Sequence, residues 1–334
     1  MYTIRPQYLF YLTLCFIVVI ITLIICTIGM TVQKKRRLLR KDKIAGQVSE
    51  WLAETVLEDD RDAAVKGAFN IPGNIQVILR KKKALDIVLD ELILLRKSFN
   101  GSAGYNLEKL YRQLQLNKLS LRKLQSRRWH IKIKGIQELA SMKQEQHLNN
   151  ITQYINHSNQ YIRTEAQTAL VRYWGYEGLQ FLDFTDYPVT EWQQLNLMHL
   201  LLQQPAINDA PIGKWLNSSN ASVVQFALKL VAEERDSRHY EAVIQCLGHP
   251  NEGVNVQAVL CLGQIADTSI IKTLIVHYKN ANEMMRIAIV NVLEKTGTSR
   301  GLSFIRKKST TDSEVVKLAC LKHLQQHSIT TRAM

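Results

Sequence analysis

The sequence predicts an all-α protein, an N-terminal transmembrane helix followed by a right-handed α-solenoid of paired helices. Two observations predict it. Tyr8 to Val32 contains neither a charge nor a proline. Further on, an apolar anchor returns at Ile131, Ile162, Trp192, Val223, Val254, Met284 and Val315, at intervals of 30 or 31 residues. Four residues after each anchor stand Gly135, Ala166, Asn196, Ala227, Ala258, Ala288 and Ala319, six of them small. An apolar side chain four positions before a small one shares its helical face, and the small one admits a neighbouring helix. A fixed period of this length marks stacked units that bury their apolar faces only against one another.

The elements follow in chain order. Residues 1–7 form a short terminus outside the membrane. A helix crosses the hydrocarbon core with about 20 residues, so 8–32 reads as an uncleaved anchor. A secretory signal has a shorter apolar run and small residues at a cleavage site; here only Arg5 precedes the run and no Ala-x-Ala follows it. Residues 33–43 are a basic juxtamembrane segment, with Lys34, Lys35, Arg36, Arg37, Arg40, Lys41 and Lys43 against Asp42. Positive charge beside a spanning helix stays on the cytoplasmic side. The expectation is a single-pass protein of the inner membrane with its C-terminal domain in the cytoplasm and its basic segment against anionic lipid headgroups.

Residues 44–126 are helical but irregular and read as an N-terminal cap or degenerate repeats, since a terminal unit must shield the first apolar face. Ile44, Val48, Trp51, Leu52 and Val56 give one amphipathic face, Ile71-Pro72-Gly73 a turn, and 100–104 a flexible loop. Arg80 to Lys83 interrupt a second apolar stripe and read as a solvated helix face.

Residues 127–326 hold about seven repeats, with 327–334 as a polar tail. Tyr240, Val243, Ile244 and Leu247 make one stripe, Gly248 to Asn251 break it, and Val254, Ala258, Val259 and Leu262 make the next. These spacings of three and four are helical. Asn251, Asn282 and Asp312 lie two or three residues before an anchor, where a side-chain oxygen caps exposed amides. Asn159 to Leu170, Asn251 to Asp267 and Asp312 to Leu321 resemble HEAT repeats, in the short-helix HEAT-like form of about thirty residues common in bacteria. The unit at 183–215 departs from the pattern. Trp192 and Asn196 replace the usual pair there, and Pro188, Pro205 and Pro211 shorten its helices. Met285-Arg286 also permits a one-residue slip.

Charge narrows the function. The net charge is +14, yet residues 1–43 carry +7, 44–131 carry +5 and 132–334 only +2. A nucleic-acid-binding solenoid carries a basic stripe along its repeats; these repeats are close to neutral, and no nucleic acid is expected. No phosphate-binding glycine loop, Gly-x-Ser-x-Gly elbow or His-Glu-x-x-His occurs. His323 and His327 stand one turn apart, but Leu324 occupies the place of a catalytic glutamate. No catalytic residue, metal, cofactor or small-molecule substrate is expected. Five cysteines, an odd number without a Cys-x-x-Cys pair, read as small hydrophobes in a reducing compartment.

The reading is a membrane-anchored scaffold that binds partner proteins through its repeats. Trp174 and Trp192 are the candidate partner-binding residues, with the irregular 183–215 unit as the preferred groove. Trp129 and Trp215 read as core. Ala166, Ala227, Ala258, Ala288 and Ala319 are the packing positions. The layout is similar to bacterial single-pass HEAT-repeat proteins, which implies assembly with envelope machinery such as polysaccharide synthesis or export. HEAT-like repeats also occur in phycobilin lyases and in some DNA glycosylases, so the resemblance leaves a lyase-type enzyme and a lipid- or nucleic-acid-binding protein as alternatives.

Overall fold

A computed structural model describes residues 6–57, 68–99, 101–202 and 211–332. Arg5, Pro205, Asn100 and the last two residues of the tail lie outside them. The described residues form helices, 3-10 turns and no strand. The chain divides into two units, Met1–Glu145 and Gln146–Met334, so the division falls beyond the 126/127 boundary read from the sequence.

The first unit is built on one long helix. α1 runs unbroken over Pro6–Leu57. From Leu14 its apolar part is exposed throughout; an 18-residue window has mean hydropathy 2.8 and no buried residue. The boundaries read at 32/33 and 43/44 are therefore not breaks in the chain's path. Lys, Arg and Leu are good helix formers, and no proline lies between Pro6 and Pro72, so the charges change the helix's surroundings without ending it.

Beyond Ile44, α1 becomes amphipathic and buries Val48, Trp51 and Leu52. Around this face pack α2 (Gly73–Leu79), α3 (Lys82–Ser98) and α4 (Gly101–Gln113), contributing Ile75, Val88, Leu89, Leu92, Leu107 and Leu110 to one core. Residues 101–104, read as a flexible loop, are instead the first turn of α4. Gly101 takes φ +66°, the left-handed region that favours glycine. Arg80 and Lys81 lie at the turn between α2 and α3, not on a helix face.

α5 (Leu116–Leu124) and α6 (Trp129–Ser141) close the unit as a hairpin. Gly135 sits where they cross; a Cβ there would lie 2.5 Å from Leu124 N and 2.8 Å from Ser120 O. The crossing brings a polar chain together. Tyr111 Oη donates to Ser120 Oγ at 2.9 Å, and Ser120 Oγ donates to Glu138 Oε2 at 2.7 Å. Lys123 Nζ bridges Glu138 and Asp86, each at 2.6 Å. Glu138 is 1 % exposed. Burial pushes its carboxyl above the usual range, against the pull of Lys123 and Ser120.

Among the described residues, the second unit stacks six helical pairs. The first members are α7 (Leu148–Thr152), a 3-10 stretch (Gly175–Asp183), α10 (Ile212–Leu216), α12 (Tyr240–Gln245), α14 (Ile270–Tyr278) and α16 (Ser299–Thr311). The second members are α8 (Gln160–Trp174), α9 (Glu191–Leu201), α11 (Ala221–Glu234), α13 (Glu252–Ile265), α15 (Glu283–Thr296) and α17 (Glu314–Arg332). Consecutive second helices pack on one another from α11 to α17. The irregular unit keeps its place in the stack, with its first helix reduced to a 3-10 stretch.

Side-chain caps set the register. Asn159 Oδ1 accepts from Ile162 N at 3.3 Å, Thr190 Oγ1 from Gln193 N at 3.3 Å, Asn251 Oδ1 from Val254 N at 3.2 Å and Asn282 Oδ1 from Met285 N at 2.9 Å. Asn220 caps α11 through Ser222 N. Three of the expected anchors are thereby corrected by one residue. Trp192, Met284 and Val315 are exposed, while Gln193, Met285 and Val316 are buried. Asp312 accepts from Ser313 N but serves mainly as an ion-pair centre.

The residue after each of several anchors closes the turn behind it. Arg163 Nη1 donates to His157 O at 2.7 Å, Gln194 Nε2 to Val189 O at 3.0 Å and Asn255 Nδ2 to Leu247 O at 2.9 Å. Each gives a partner to a carbonyl of the segment that leads into its own helix. Arg163 also lies over the Tyr187 ring, 3.9 Å from its centroid.

The last two pairs are tied by Asp312, whose side chain is nearly buried. It accepts from Tyr278 Oη at 2.9 Å and pairs with Arg286 at 3.1 Å and Lys308 at 3.3 Å. Burial alone would raise its pKa; the bonds from Ser313, Tyr278 and Lys308 and the Arg286 charge outweigh that and hold it below the usual carboxylate range. A depressed carboxylate contributes stability above its unfolded pKa, lost as pH falls through the folded value. Asp312→Asn is expected to cost about 2 kcal/mol at pH 7, less than a fully buried pair because Arg286 and Lys308 stay partly exposed. Urea unfolding at pH 7 and below pH ~4 checks it: the gap from the parent should shrink on the acid side.

Candidate partner-binding groove

The second helices turn their anchor faces into the stack. On α9, α11, α13 and α15 the residues six positions past the anchors are His199, Lys229, Leu260 and Asn291. All four line a groove of about 720 Å³. Three positions further along come Leu202, Ala232 and Gly263, which line it too. The small pair makes its floor. A Cβ on Gly263 would lie 2.8 Å from Val292 Cγ2, so the glycine lets α15 approach α13 at that point.

The rim is apolar with interspersed charge. Leu195, Leu202 and Leu260 are exposed large side chains. Lys229, Arg235 and Lys295 stand among them with Glu233. Lys229 Nζ is held by Gln194 Oε1 at 2.8 Å. Gln194 itself is buried and anchored on the Val189 and Ser222 carbonyls. The arrangement suits an apolar side chain set between leucines and flanked by polar contacts. Among the described residues no three His, Cys, Asp or Glu side chains gather as for a metal. His323 Nε2 lies 2.6 Å from Asn291 Oδ1, and the His327 side chain is outside the described part.

The candidate residues fall in different places. Trp192 is 67 % exposed, one turn before Leu195 on the same side of α9, but does not line the groove. Trp174 ends α8, exposed and edge-on to Tyr173 with centroids 5.7 Å apart. Trp215 is buried, and its indole N–H donates to Asp183 at 2.8 Å. Trp129, read as core, is instead 47 % exposed at the first position of α6; α5 and α6 close on each other through Gly135 and leave it outside. Ala166, Ala227, Ala258 and Ala288 are buried, whereas Ala319 is half-buried and Cys320 takes its place. Burial raises the Cys320 thiol to about 11 and Cys261 to about 12. Lys34, Lys35, Arg36, Arg40, Lys41 and Lys43 are exposed on α1; the Arg37 side chain is outside the described part.

Residues 240–325 match the family model described as HEAT repeats. That stretch, with the stacked pairs around it, is a HEAT-repeat-like all-α solenoid domain. No curated protein matches the sequence. Three solved structures are similar at low identity. Human deoxyhypusine hydroxylase in complex with glycerol is 12% identical, over 86% of this chain and 98% of that one, with TM-score 0.33. An engineered protein is 13% identical, over 85% and 95%, with TM-score 0.34. A designed armadillo repeat protein in complex with the peptide (KR)4 is 14% identical, over 73% and 93%, with TM-score 0.25. At these scores no site or chemistry is carried across.

Proposed function

We propose that this protein is a membrane-tethered scaffold that holds a partner protein in the groove of its second helices. The groove carries the reading: three exposed leucines surround a floor of Ala232 and Gly263. Large apolar side chains set in a concave face are the usual anchors of protein recognition. α1 supplies the tether, with an exposed apolar run long enough to span a bilayer. The basic segment after it favours the cytoplasmic side of the inner membrane for both units. Confinement to a surface raises the local concentration of partners there, so modest affinity suffices.

Crosslinking in intact cells followed by capture of the full-length chain tests the groove. Leu195→Glu combined with Leu260→Glu should lower recovery of the crosslinked partner at least tenfold, while helicity by circular dichroism stays at the parent level. Unchanged recovery excludes the groove. The tether is tested separately by alkaline carbonate, which should leave the chain in the membrane pellet.

A further inference from the structure

The most uneven charge in the molecule lies outside the basic segment of α1. Between Glu108 and Glu138 the chain carries nine Lys and Arg and no acidic residue. This stretch holds the α5–α6 hairpin. The acidic groups that face it are already engaged: Asp86 and Glu138 with Lys123, and Asp90 with Lys134 at 2.8 Å. Arg122, Arg127 and Arg128 remain exposed, and beside them stands Trp129, 47 % exposed.

The same contacts locate the hairpin along α1. Asp90 is shared; Lys134 reaches it from α6 and Lys41 from α1 at 4.0 Å. Lys41 lies nine residues past Val32, the last residue of the apolar run, which is about 14 Å along a helix. The headgroup layer occupies roughly 5–7 Å of that. The Lys41–Asp90–Lys134 contact thereby lies within about one Debye length of the surface that a spanning α1 would meet, and Trp129 is five residues, about 8 Å of helix, from Lys134. α1 is continuous across the interval, so the spacing is set by a rod and not by a flexible linker.

We propose that the Arg127-Arg128-Trp129 corner is a second membrane contact, docked on anionic phospholipid headgroups. Arginines supply the charge that acidic lipids attract, and a tryptophan flanked by them has the amphipathic ring that settles at headgroup level. The proposal rests on α1 spanning the bilayer. With two points of contact the first unit would be fixed in orientation against the membrane, not merely suspended from it.

The test uses the full-length chain reconstituted into vesicles of phosphatidylcholine with phosphatidylglycerol, a fraction of the acyl chains brominated near the headgroup. Bromine quenches nearby tryptophan, and the difference between the parent and Trp129→Phe reports position 129. We expect quenching that Trp129→Phe removes. Arg127→Gln with Arg128→Gln should weaken the contact equilibrium about 30-fold, as should vesicles of phosphatidylcholine alone. Equal quenching of the parent and Trp129→Phe, in protein that floats with the vesicles after alkaline carbonate, overturns the contact and leaves the tether standing. Protein that carbonate strips from the vesicles overturns the tether itself, and the contact with it.

Discussion

Gly135→Ala should destabilise the first unit by about 3 kcal/mol, although alanine is the better helix former by about 1 kcal/mol. The added Cβ would meet Leu124 N at 2.5 Å, Ser120 O at 2.8 Å and Leu124 Cα at 3.0 Å. All three are backbone atoms of α5, which cannot turn aside as a side chain can. The two helices would have to part by roughly 1 Å to restore ordinary contact. Overpacking of this kind costs about 1–3 kcal/mol by itself. Parting the helices also stretches Ser120 Oγ from Glu138 at the same crossing, and a buried carboxylate that loses a donor adds about 1–3 kcal/mol more. Gly46→Ala is the control. It lies exposed on α1 with nothing within 4 Å of its Cβ position, so it should be neutral or gain up to ~1 kcal/mol. Urea unfolding of the full-length chain in detergent, followed through tryptophan fluorescence, separates the two. A Gly135→Ala midpoint at or above the parent's would mean that the α5–α6 crossing is not as close as described.

Much of the architecture was legible because a repeat states its pattern several times over. Val223, Ala227, Val254 and Ala258 are all buried at the positions their periodicity predicts. The register of the other units was less legible, and the reason is chemical. Met284-Met285 and Val315-Val316 each offer two adjacent apolar side chains, so hydropathy cannot choose between them. At Trp192-Gln193 hydropathy chooses wrongly. Gln193 is buried because its amide donates to Gln167 Oε1 on the neighbouring helix, a partner that no single unit reveals. The caps carry the missing information. Asn159, Thr190, Asn220, Asn251 and Asn282 recur at 30 or 31 residues, each three positions before a buried anchor, because a cap oxygen reaches the amide two or three residues on. The groove was harder still. Its floor is Ala232 and Gly263, residues whose function is to be small, and its walls come from four units. Tryptophan content pointed only as far as α9, which supplies one wall.

That corrected register separates two substitutions that the periodicity alone treats as equal. Ala258 lies four residues after the buried Val254 and is 0 % exposed on α13, which packs against α11 and α15. Ala258→Asp would place a carboxylate inside the hydrophobic core of the second unit. The group must either stay ionised without a partner or take up a proton, and either course costs several kcal/mol. A loss of about 4 kcal/mol or more follows, a large share of the roughly 5–15 kcal/mol that keeps a domain folded. Ala288 is 4 % exposed, but it lies three residues after Met285, and Ile289 occupies the fully buried fourth position. A carboxylate at Ala288 can lean toward solvent, so Ala288→Asp should cost about half as much, and Ile289→Asp should match Ala258→Asp. Glu252→Ala, exposed at the start of α13, is the reference and should stay within about 0.5 kcal/mol of the parent. The order of the three urea midpoints decides the register. If Ala288→Asp unfolds as readily as Ala258→Asp while Ile289→Asp is tolerated, the anchor is Met284 after all. Asn282 then does not set the start of α15, and the cap rule fails for this fold.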